Sequence, residues 1–455
     1  MGTYSSPRVA DLNQDGVKDI VLGAGKFEFE QADTAVVALS GATGETLWIV
    51  PARDQVFGSA TFLDINQDGV QDVIINGRSA ILMAISGSTG EIIWEFFPEG
   101  DTLKASDFGL YNFYNPQIIP DQTGNGLEDV LVSNGGDVTA PPHDPDRPPG
   151  KLMVIDASNG QSLAKAMVPD NKETYMSPVV SRFHEDADDY TIIFGTGGET
   201  IGGNLYRTTL GALMAGDISD AEILLSSEDK GFIAPPVLAD ITQNGYYDIV
   251  VNAANGSTVA IDGKTNEILW EQTIENVEAY ASFGVGYFND DETPDFFTLY
   301  GEGVFPDLEN SIQVMYNGRN GNVELLDTLG LFQTASPVIA DFTNNGYDDA
   351  LLSVNFSLTD LEKGLIEVFH NILVVYDFND LSLHQLTAPI QGMNLASTPW
   401  IGDLNSNGKL DIIYCVLTEA DLGSFRVYRY ATDIDVSSEI KWGAYMGSNY
   451  NGIFN

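Results

Sequence analysis

A nine-residue acidic loop recurs along the chain and carries the residues best suited to chemistry. Its first copy, from Asp11 to Asp19, reads DLNQDGVKD, with oxygen-bearing side chains at positions 1, 3, 5 and 9 and glycine at position 6. Alternate residues of a tight loop point toward one centre, and glycine permits the positive φ angle that folds the loop around it. Carboxylate, amide and hydroxyl oxygens are the ligands that Ca²⁺ prefers. The pattern therefore predicts a calcium site, with a backbone carbonyl near position 7 as a further ligand.

Six copies of this loop share one register, and each leads into an apolar run. One copy alone could equally be an ordinary turn, because Asp, Asn and Gly are common turn residues; six copies in one register favour calcium. An EF-hand is excluded, because the loops lack its Glu at position 12 and its flanking helices. The predicted ligands of about six structural Ca²⁺ ions are Asp11, Asn13, Asp15, Asp19, Asp64, Asn66, Asp68, Asp72, Asp121, Thr123, Asn125, Asp129, Asp240, Thr242, Asn244, Asp248, Asp341, Thr343, Asn345, Asp349, Asp403, Asn405, Asn407 and Asp411.

Two further slots in the same register are degenerate. In the slot 182–190, Arg182 stands at the first ligand position and Tyr190 at the ninth, so we expect no calcium there. The slot 287–295 loses the first Asp and the glycine, so we expect little or no occupancy. It keeps only three ligand-type residues, Asn289, Asp291 and Asp295.

The loop belongs to a larger repeat with the pattern of four β-strands. In the first copy, SSPRVAD precedes the loop, and DIVLGAG, TAVVALSG and ATGETLWIV follow it. Apolar–polar alternation with many β-branched residues predicts strands. The eight loop starts, from 11 to 403, have a mean spacing of 56 residues over seven intervals. Eight units of this length predict an all-β, eight-bladed β-propeller of four-stranded antiparallel blades, with seven blades as the alternative.

We expect one domain spanning residues 1–455. Its approximate blades are 1–55, 56–110, 111–173, 174–230, 231–278, 279–331, 332–393 and 394–455.

Composition restricts the partners and the compartment. The net charge of −46 argues against nucleic acid, whose phosphates need a basic patch, and against anionic membrane surfaces. No apolar run approaches the ~18 residues of a membrane span, so we expect no membrane insertion. We also expect the protein to be a monomer. Loops of low calcium affinity fill outside cells, which predicts an extracellular, cell-surface or periplasmic protein. No signal peptide is visible at MGTYSSPRVAD, so we expect a mature or recombinant form. The single cysteine, Cys415, lies in an apolar run and is predicted to be a buried, inert thiol.

These motifs resemble two known families. The loops with their flanks (VADLNQDGVKDIVLGAG, IGDLNSNGKLDIIYC) resemble the FG-GAP or VCBS-type repeats of integrin α-chain propellers and exported bacterial proteins. The units VVALSGATGETLW, LMAISGSTGEIIW and VAIDGKTNEILW resemble blades of quinoprotein-like propellers, and that resemblance implies that Trp48, Trp94 and Trp270 dock between blades. Trp442 is placed in the same slot, whereas the third repeat departs, with Ala164 and Lys165 near the expected Trp. The quinoprotein resemblance also implies a PQQ pocket, commonly with a vicinal disulfide. Because the chain has one cysteine, that disulfide is excluded.

Loop length points to the face that binds a ligand. In a blade, the second-to-third connection emerges opposite the metal loop, and here it carries the insertions 26–33, 137–150, 196–209, 301–310 and 355–370; the blade connection 98–115 is also long. Long loops on a rigid scaffold commonly carry function. The long-loop face is therefore predicted to bind a glycan or a protein, and its candidate contacts are Phe27, Phe29, Tyr111, Phe113, Tyr114, His143, Arg147, Tyr206, Arg207, Phe305 and His370.

The sequence gives weaker support to catalysis, and we assign no catalytic residue. A His-Tyr-Arg set on the long-loop face, including His143 and Arg147, could carry out β-elimination on uronic-acid polymers, as in propeller-fold polysaccharide lyases. The sequence shows no GxSxG, HExxH or glycine-rich phosphate loop. A binding or scaffold module is therefore the main functional hypothesis, and a lyase is the alternative.

Overall fold

The fold class is an all-β, eight-bladed β-propeller with antiparallel blades, as the repeat predicts. The computed structural model describes residues 4–25, 27–98, 104, 107–141, 143–144, 146–360, 366–418, 424–436 and 438–455. Within these residues, five sheets have four strands, two have five strands and one has three. Neither described helix has the length or the hydropathy needed to cross a bilayer.

Blades one to four form one compact unit, composed of Arg8–Pro235 and Ala253–Asn255. In each blade the strands follow one another as an antiparallel meander. The elements of this unit are β1 (Arg8–Ala10), β2 (Asp19–Gly23), β3 (Ala32–Leu39), β4 (Thr46–Ala52), β5 (Thr61–Leu63), β6 (Asp72–Asn76), β7 (Leu82–Ile85), β8 (Ile92–Glu95), α1 (Asp107–Leu110), β9 (Gln117–Ile119), β10 (Asp129–Asn134), β11 (Lys151–Ile155), β12 (Ser162–Met167), β13 (Val179–Ser181), β14 (Thr191–Gly195), β15 (Gly203–Thr209), α2 (Leu210–Met214) and β16 (Glu222–Ser227).

Blades five to eight form a second compact unit, composed of Met1–Pro7, Pro236–Asn252 and Gly256–Asn455. Its strands are β17 (Val237–Ala239), β18 (Asp248–Asn252), β19 (Ser257–Ile261), β20 (Ile268–Thr273), β21 (Val277–Ala279), β22 (Gly284–Gly286), β23 (Asp295–Val304), β24 (Asp307–Tyr316), β25 (Val323–Leu331), β26 (Val338–Ala340), β27 (Asp349–Asp360), β28 (Ile366–Asp377), β29 (Ser382–Gln385), β30 (Ile390–Gln391), β31 (Trp400–Gly402), β32 (Lys409–Leu417) and β33 (Phe425–Asp435).

Burial along the strands follows their place in the blade. The second strands β2, β6 and β18 are buried along their whole length, because neighbouring sheets cover both of their faces. Outer strands such as β12 alternate between buried and exposed residues, because only one face packs on a neighbour. Cys415 lies inside β32 and is buried, and burial raises the pKa of its thiol to about 12. The prediction that this thiol is buried is confirmed.

Tryptophans on fourth strands join neighbouring blades within each unit. The indole N–H groups of three tryptophans each donate at 2.7 Å to a backbone carbonyl in the next blade's turn between its third and fourth strands, which confirms the predicted docking. The pairs are Trp48 with Gly87, Trp94 with Ala157, and Trp270 with Gly318.

The third blade replaces its missing tryptophan with a helix from the fourth blade. Ala164 occupies the tryptophan position on β12, and the short helix α2 packs against this strand. Leu210 and Leu213 of α2 are buried there in one cluster with Ala164. The side chain of Thr209 caps α2 by accepting a hydrogen bond from the N–H of Ala212.

The C-terminal segment, residues 438–455, does not form an outer strand. The prediction that Trp442 occupies the outer-strand slot is wrong. Trp442 pairs with Ile339 of the inner strand β26, and its indole donates to the Phe283 carbonyl at 2.7 Å. Ile453 pairs with Leu238 of the inner strand β17. The inner strands bury Trp442 almost completely, whereas an outer strand covers only one face of a side chain.

Candidate metal loops and ligand face

The six predicted loops share a network of hydrogen bonds from loop amides to loop side chains. In the first loop, the Asp11 carboxylate accepts from the N–H groups of Asp15 (3.2 Å) and Gly16 (3.0 Å). The Asn13 oxygen also accepts from Asp15 N–H at 2.9 Å. Gly16 has a φ angle of +84°, which few other residues adopt. The sequence therefore folds the loop by turning short polar side chains inward.

The ninth residue of the loop is an internal anchor. The buried Asp72 accepts from the N–H of Ile65 in its own loop at 2.9 Å and from the N–H of Gly87 at 3.0 Å. Burial raises the pKa of the Asp72 carboxyl, while these amides lower it. Asp19, Asp129 and Asp248 make the same pair of contacts, one within the loop and one to the turn between the third and fourth strands. Sequence reasoning assigned these residues only to metal binding and missed this structural role.

The residues of the loops fit a hard divalent cation at three of the four predicted positions. Asp11, Asn13 and Asp15 supply oxygens at the exposed side of the loop, and such oxygens suit Ca²⁺. The fourth, Asp19, is buried rather than exposed, and its two oxygens accept from backbone amides of its own loop and of the turn between the third and fourth strands. Among the described residues, one group of three His, Asp or Glu side chains has its possible metal-ligand atoms within 4.8 Å of one another. It consists of His184, Glu185 and Asp186. This trio lies in the degenerate slot 182–190, where the guanidinium of Arg182 stacks on Tyr190.

The insertions predicted as loops differ in kind. Residues 301–310 continue the paired strands β23 and β24, and the described residues 355–360 and 366–370 continue the paired strands β27 and β28, so these predicted insertions are strand extensions rather than loops. Strand pairing satisfies the backbone N–H and C=O groups that a loop would leave without partners. Parts of the predicted insertions lie outside the described residues, namely 26, 99–103, 105–106, 142, 145 and 361–365.

Four of the predicted contact residues are structural. Tyr111 and Phe113 are buried beside Phe96 in the core between blades two and three. Tyr206 and Arg207 lie on the strand β15 rather than in a loop. Tyr206 is buried and stacks on Phe194, and the Arg207 guanidinium packs over the Phe183 ring at 4.7 Å. Large aromatic side chains at core positions bury more apolar area than loop positions allow, which explains the discrepancy.

Five other predicted contact residues are at least partly accessible but are spread over several blades. Phe27, Phe29 and Phe305 are each about half exposed, at 47%, 49% and 50%. His143 is exposed in the loop 137–150. His370 is half-buried on β28 and stacks on Phe356. These five residues come from four different blades and two compact units.

Tyr114 belongs to a row of aromatic side chains that the sequence did not reveal as a row, and Arg147 contacts that row. Phe57, Tyr114 and Tyr175 are half-buried, and their ring centroids are 5.5 Å and 5.6 Å apart. Each lies seven residues before the loop start of its own blade, and three or four residues before the first strand of that blade begins. We call these three residues the aromatic row. The shared register of aromatic residues was the signal in the sequence that could have revealed it.

Two arginine–glutamate pairs flank the aromatic row. Arg78 pairs with Glu28 at 2.7 Å, lies over the Phe57 ring at 4.8 Å, and donates to the Tyr114 hydroxyl at 3.1 Å. Arg147 pairs with Glu173 and donates to the Tyr175 hydroxyl at 2.8 Å.

The Arg147–Glu173 pair is almost completely buried, with side chains 5% and 1% exposed. Burial raises the pKa of Glu173, although Arg147 acts to lower it. Arg147 Nε and Glu173 Oε1 have no hydrogen-bond partner among the described residues. A buried donor or acceptor without a protein partner is usually satisfied by a water molecule or a ligand group.

No family model matches the chain. Among curated proteins, the chain is similar to protein FAM234B of Gallus gallus, at 27% identity over 138 residues, which are 29% of this chain and 21% of FAM234B. It is also similar to methanol dehydrogenase [cytochrome c] subunit 1 of Methylorubrum extorquens, at 37% identity over 92 residues, which are 18% of this chain and 14% of the dehydrogenase subunit. The chain thus matches about a fifth or less of the length of these relatives.

Two solved propeller structures resemble the whole chain. Sqt1 of Saccharomyces cerevisiae matches with a TM-score of 0.56 and 8% identity, covering 95% of this chain and 96% of Sqt1. The quinohemoprotein alcohol dehydrogenase of Comamonas testosteroni matches with a TM-score of 0.53 and 12% identity, covering 96% of this chain and 76% of the dehydrogenase. These likenesses support the propeller fold. The FG-GAP/VCBS assignment stays a prediction.

Proposed function

We propose that the chain is a calcium-stabilised, exported binding or scaffold propeller whose long-loop face recognises a glycan or a protein. The observation that carries this proposal is the aromatic row with its two arginine–glutamate pairs. Half-buried tyrosine and phenylalanine rings provide large contact surfaces at low entropic cost, and they are enriched where proteins recognise ligands. The arginines hold the tyrosine hydroxyls in place, so the row is organised before a ligand arrives.

The calcium part of the proposal rests on the donor set of the six loops and on their common hydrogen-bond pattern. A bound ion would offset the repulsion among clustered carboxylates, so metal loading and folding would be coupled. Export follows from the same chemistry, because calcium is abundant outside cells.

The lyase alternative has less support. Its proposed arginine, Arg147, is buried and paired with Glu173, so it does not present a free charge to a uronate carboxylate. His143 is exposed, and no hydrogen bond joins it to the aromatic row among the described residues.

A binding screen with matched variants tests the proposal. The chain is probed on a glycan array and against immobilised candidate proteins, together with Tyr114→Ala, Tyr175→Ala and, as a control, Tyr430→Ala, an exposed tyrosine on β33. We expect Tyr114→Ala and Tyr175→Ala to weaken binding roughly tenfold or more, as expected of central aromatic contacts, and the control to leave it unchanged. Equal binding by all three variants would rule out the aromatic row as the site. Unsaturated products from uronic-acid polymers would favour the lyase.

A further inference from the structure

We propose a second ligand site, a cavity beside the C-terminal segment that takes an amphipathic organic cation. The cavity has a volume of about 440 Å³ and lies on the metal-loop side of blades six to eight. Small-molecule sites typically measure ~300–1,000 Å³. We call it the C-terminal cavity. It is separate from the long-loop face, and its existence does not depend on the proposed function.

The walls of the C-terminal cavity are mainly apolar. Val285 and Ile339 of the inner strands form one side, and Ile440, Trp442 and Phe454 of the C-terminal segment form another. Trp442 and Phe454 are 1% and 5% exposed, so the segment supplies a fixed wall. An aliphatic or aromatic group placed here would leave water for an apolar surface, which is favourable. The walls therefore select a ligand with an apolar body.

One carboxylate oxygen at the rim has no donor. Asp348 Oδ2 accepts from the N–H of Tyr287 at 2.9 Å, while Oδ1 accepts no hydrogen bond from the described residues. Asp348 is half-buried, and the positive charge of Lys441 acts on its carboxyl group, but no hydrogen bond joins the two side chains among the described residues. A ligand N–H bearing a positive charge would satisfy this oxygen with a charge-assisted hydrogen bond.

The remaining charged groups at the rim also favour a cation. The acidic groups are Asp341, Asp435 and Glu439, and the basic group is Lys441. Asp435 forms an ion pair with Lys409 at 2.7 Å, and Asp341 accepts amide hydrogen bonds inside its loop. Glu439 has neither kind of contact among the described residues and is exposed to solvent. A ligand anion would meet this acidic rim unfavourably.

Aromatic rings in the wall can also accommodate a positive charge. The ammonium of Lys441 lies over the Phe454 ring at 5.2 Å, and the Tyr287 ring packs on Phe454 at 5.6 Å. The electron-rich faces of aromatic rings attract cations, as the position of Lys441 over Phe454 illustrates, and the Tyr287 ring is the second aromatic group in the wall. An ammonium group joined to an aryl or alkyl body thus matches both the rim and the walls.

Three probes of similar size and different charge test the ligand class. They are 2-phenylethylamine, 2-phenylethanol and 3-phenylpropionate, followed by saturation-transfer NMR and by the fluorescence of Trp442, with Trp442→Phe as the control that removes the local signal. We expect the amine to bind roughly tenfold more tightly than the alcohol, since one charge-assisted contact separates them, and the carboxylate to bind least. Equal binding of all three probes, or preference for the carboxylate, would overturn the assignment to a cation.

Two variants test the position of the site. Asp348→Asn keeps the size of the side chain and an acceptor for Tyr287, and we expect it to lower amine affinity roughly tenfold while leaving the alcohol unaffected. Val436→Trp fills the cavity from a half-buried position, and we expect it to abolish binding of all probes. Asp380→Asn, on the far turn of the seventh blade, serves as the matched control. Thermal melts confirm that each variant is folded, and unchanged amine binding in folded Val436→Trp would refute the site.

Discussion

Trp48 and Asp72 are linked through a single residue of the second blade. The Trp48 indole donates to the carbonyl oxygen of Gly87 at 2.7 Å, and the N–H of Gly87 donates to the Asp72 carboxylate at 3.0 Å. The contact between blades and the anchor of the acidic loop therefore share one residue. A Cβ atom on Gly87 would lie 2.0 Å from the carbonyl oxygen of Gln71, so only glycine fits this junction.

The tryptophan contact predicts a measurable loss of stability. Trp48 is 8% exposed, so Trp48→Phe should remove a buried hydrogen bond and part of the packing against blade two. We expect a destabilisation of about 1–3 kcal/mol, measured as a lower midpoint of thermal or denaturant unfolding. The neighbouring Ile49→Ala, at a side chain 48% exposed, is the control and should change the midpoint little. Equal effects of both substitutions would show that the contact of Trp48 with the second blade does not contribute specifically to stability.

The helix α2 predicts a second effect in the blade that lacks a tryptophan. Leu213 is fully buried between α2 and the third blade, so Leu213→Ala should leave a cavity at the place where blades one, two and five have an indole. We expect a cost of about 2–5 kcal/mol in unfolding free energy. Met214→Ala, a half-buried neighbour on the same helix, should cost clearly less. A Leu213→Ala midpoint no lower than that of Met214→Ala would show that α2 does not replace the tryptophan.

Removal of calcium tests the loops. Chelation by EGTA should lower the melting temperature, because clustered carboxylates lose their counter-charge. Asp11→Ala should lower the number of bound Ca²⁺ ions by one, counted by metal analysis after dialysis. Asp188→Ala, an exposed residue of the degenerate slot 182–190 outside the cluster of His184, Glu185 and Asp186, should leave the count unchanged. A melting temperature that is identical with and without EGTA would argue against structural calcium.

A buried carboxyl in the degenerate slot 287–295 predicts a pH dependence. Burial raises the pKa of Asp295 to about 7, although hydrogen bonds from Gly318 and Phe288 act to lower it. The folded chain therefore holds this proton more tightly than the unfolded chain, whose Asp has a pKa of about 4. The stability contributed by Asp295 is fully present below about pH 4 and is lost as the pH rises through about 7.

The measurement is the change in melting temperature between about pH 5.5 and about pH 8. We expect Asp295→Asn to reduce the decrease that the unsubstituted chain shows over this range. Asp307→Asn, an exposed residue of the same blade, should leave the decrease unchanged. A pH profile of Asp295→Asn that parallels that of the unsubstituted chain would show that Asp295 does not titrate in this range.

The aromatic row shows why the ligand face could be predicted only in part. The sequence indicated which side of the blades carries the long connections, and Tyr114 and Arg147 were among the predicted contacts. Phe57 and Tyr175 were missed because they are far from Tyr114 in the sequence. Phe57 precedes Tyr114 by 57 positions and Tyr175 follows it by 61, and the three become neighbours only when three separate blades are packed side by side. Tyr206 was misplaced because loop length alone does not show where a strand resumes.

The sequence alone determined the strand pattern, the acidic loops and the docking of Trp48, Trp94 and Trp270, because each depends on a short segment repeated in a fixed register. Tertiary structure decided where Trp442 packs, that the ninth loop Asp is an anchor, and that α2 fills the gap at Ala164. Each of these depends on competition among distant surfaces for the same buried side chain or the same amide. A local sequence pattern does not show which distant surface will bury a given side chain or bind a given amide.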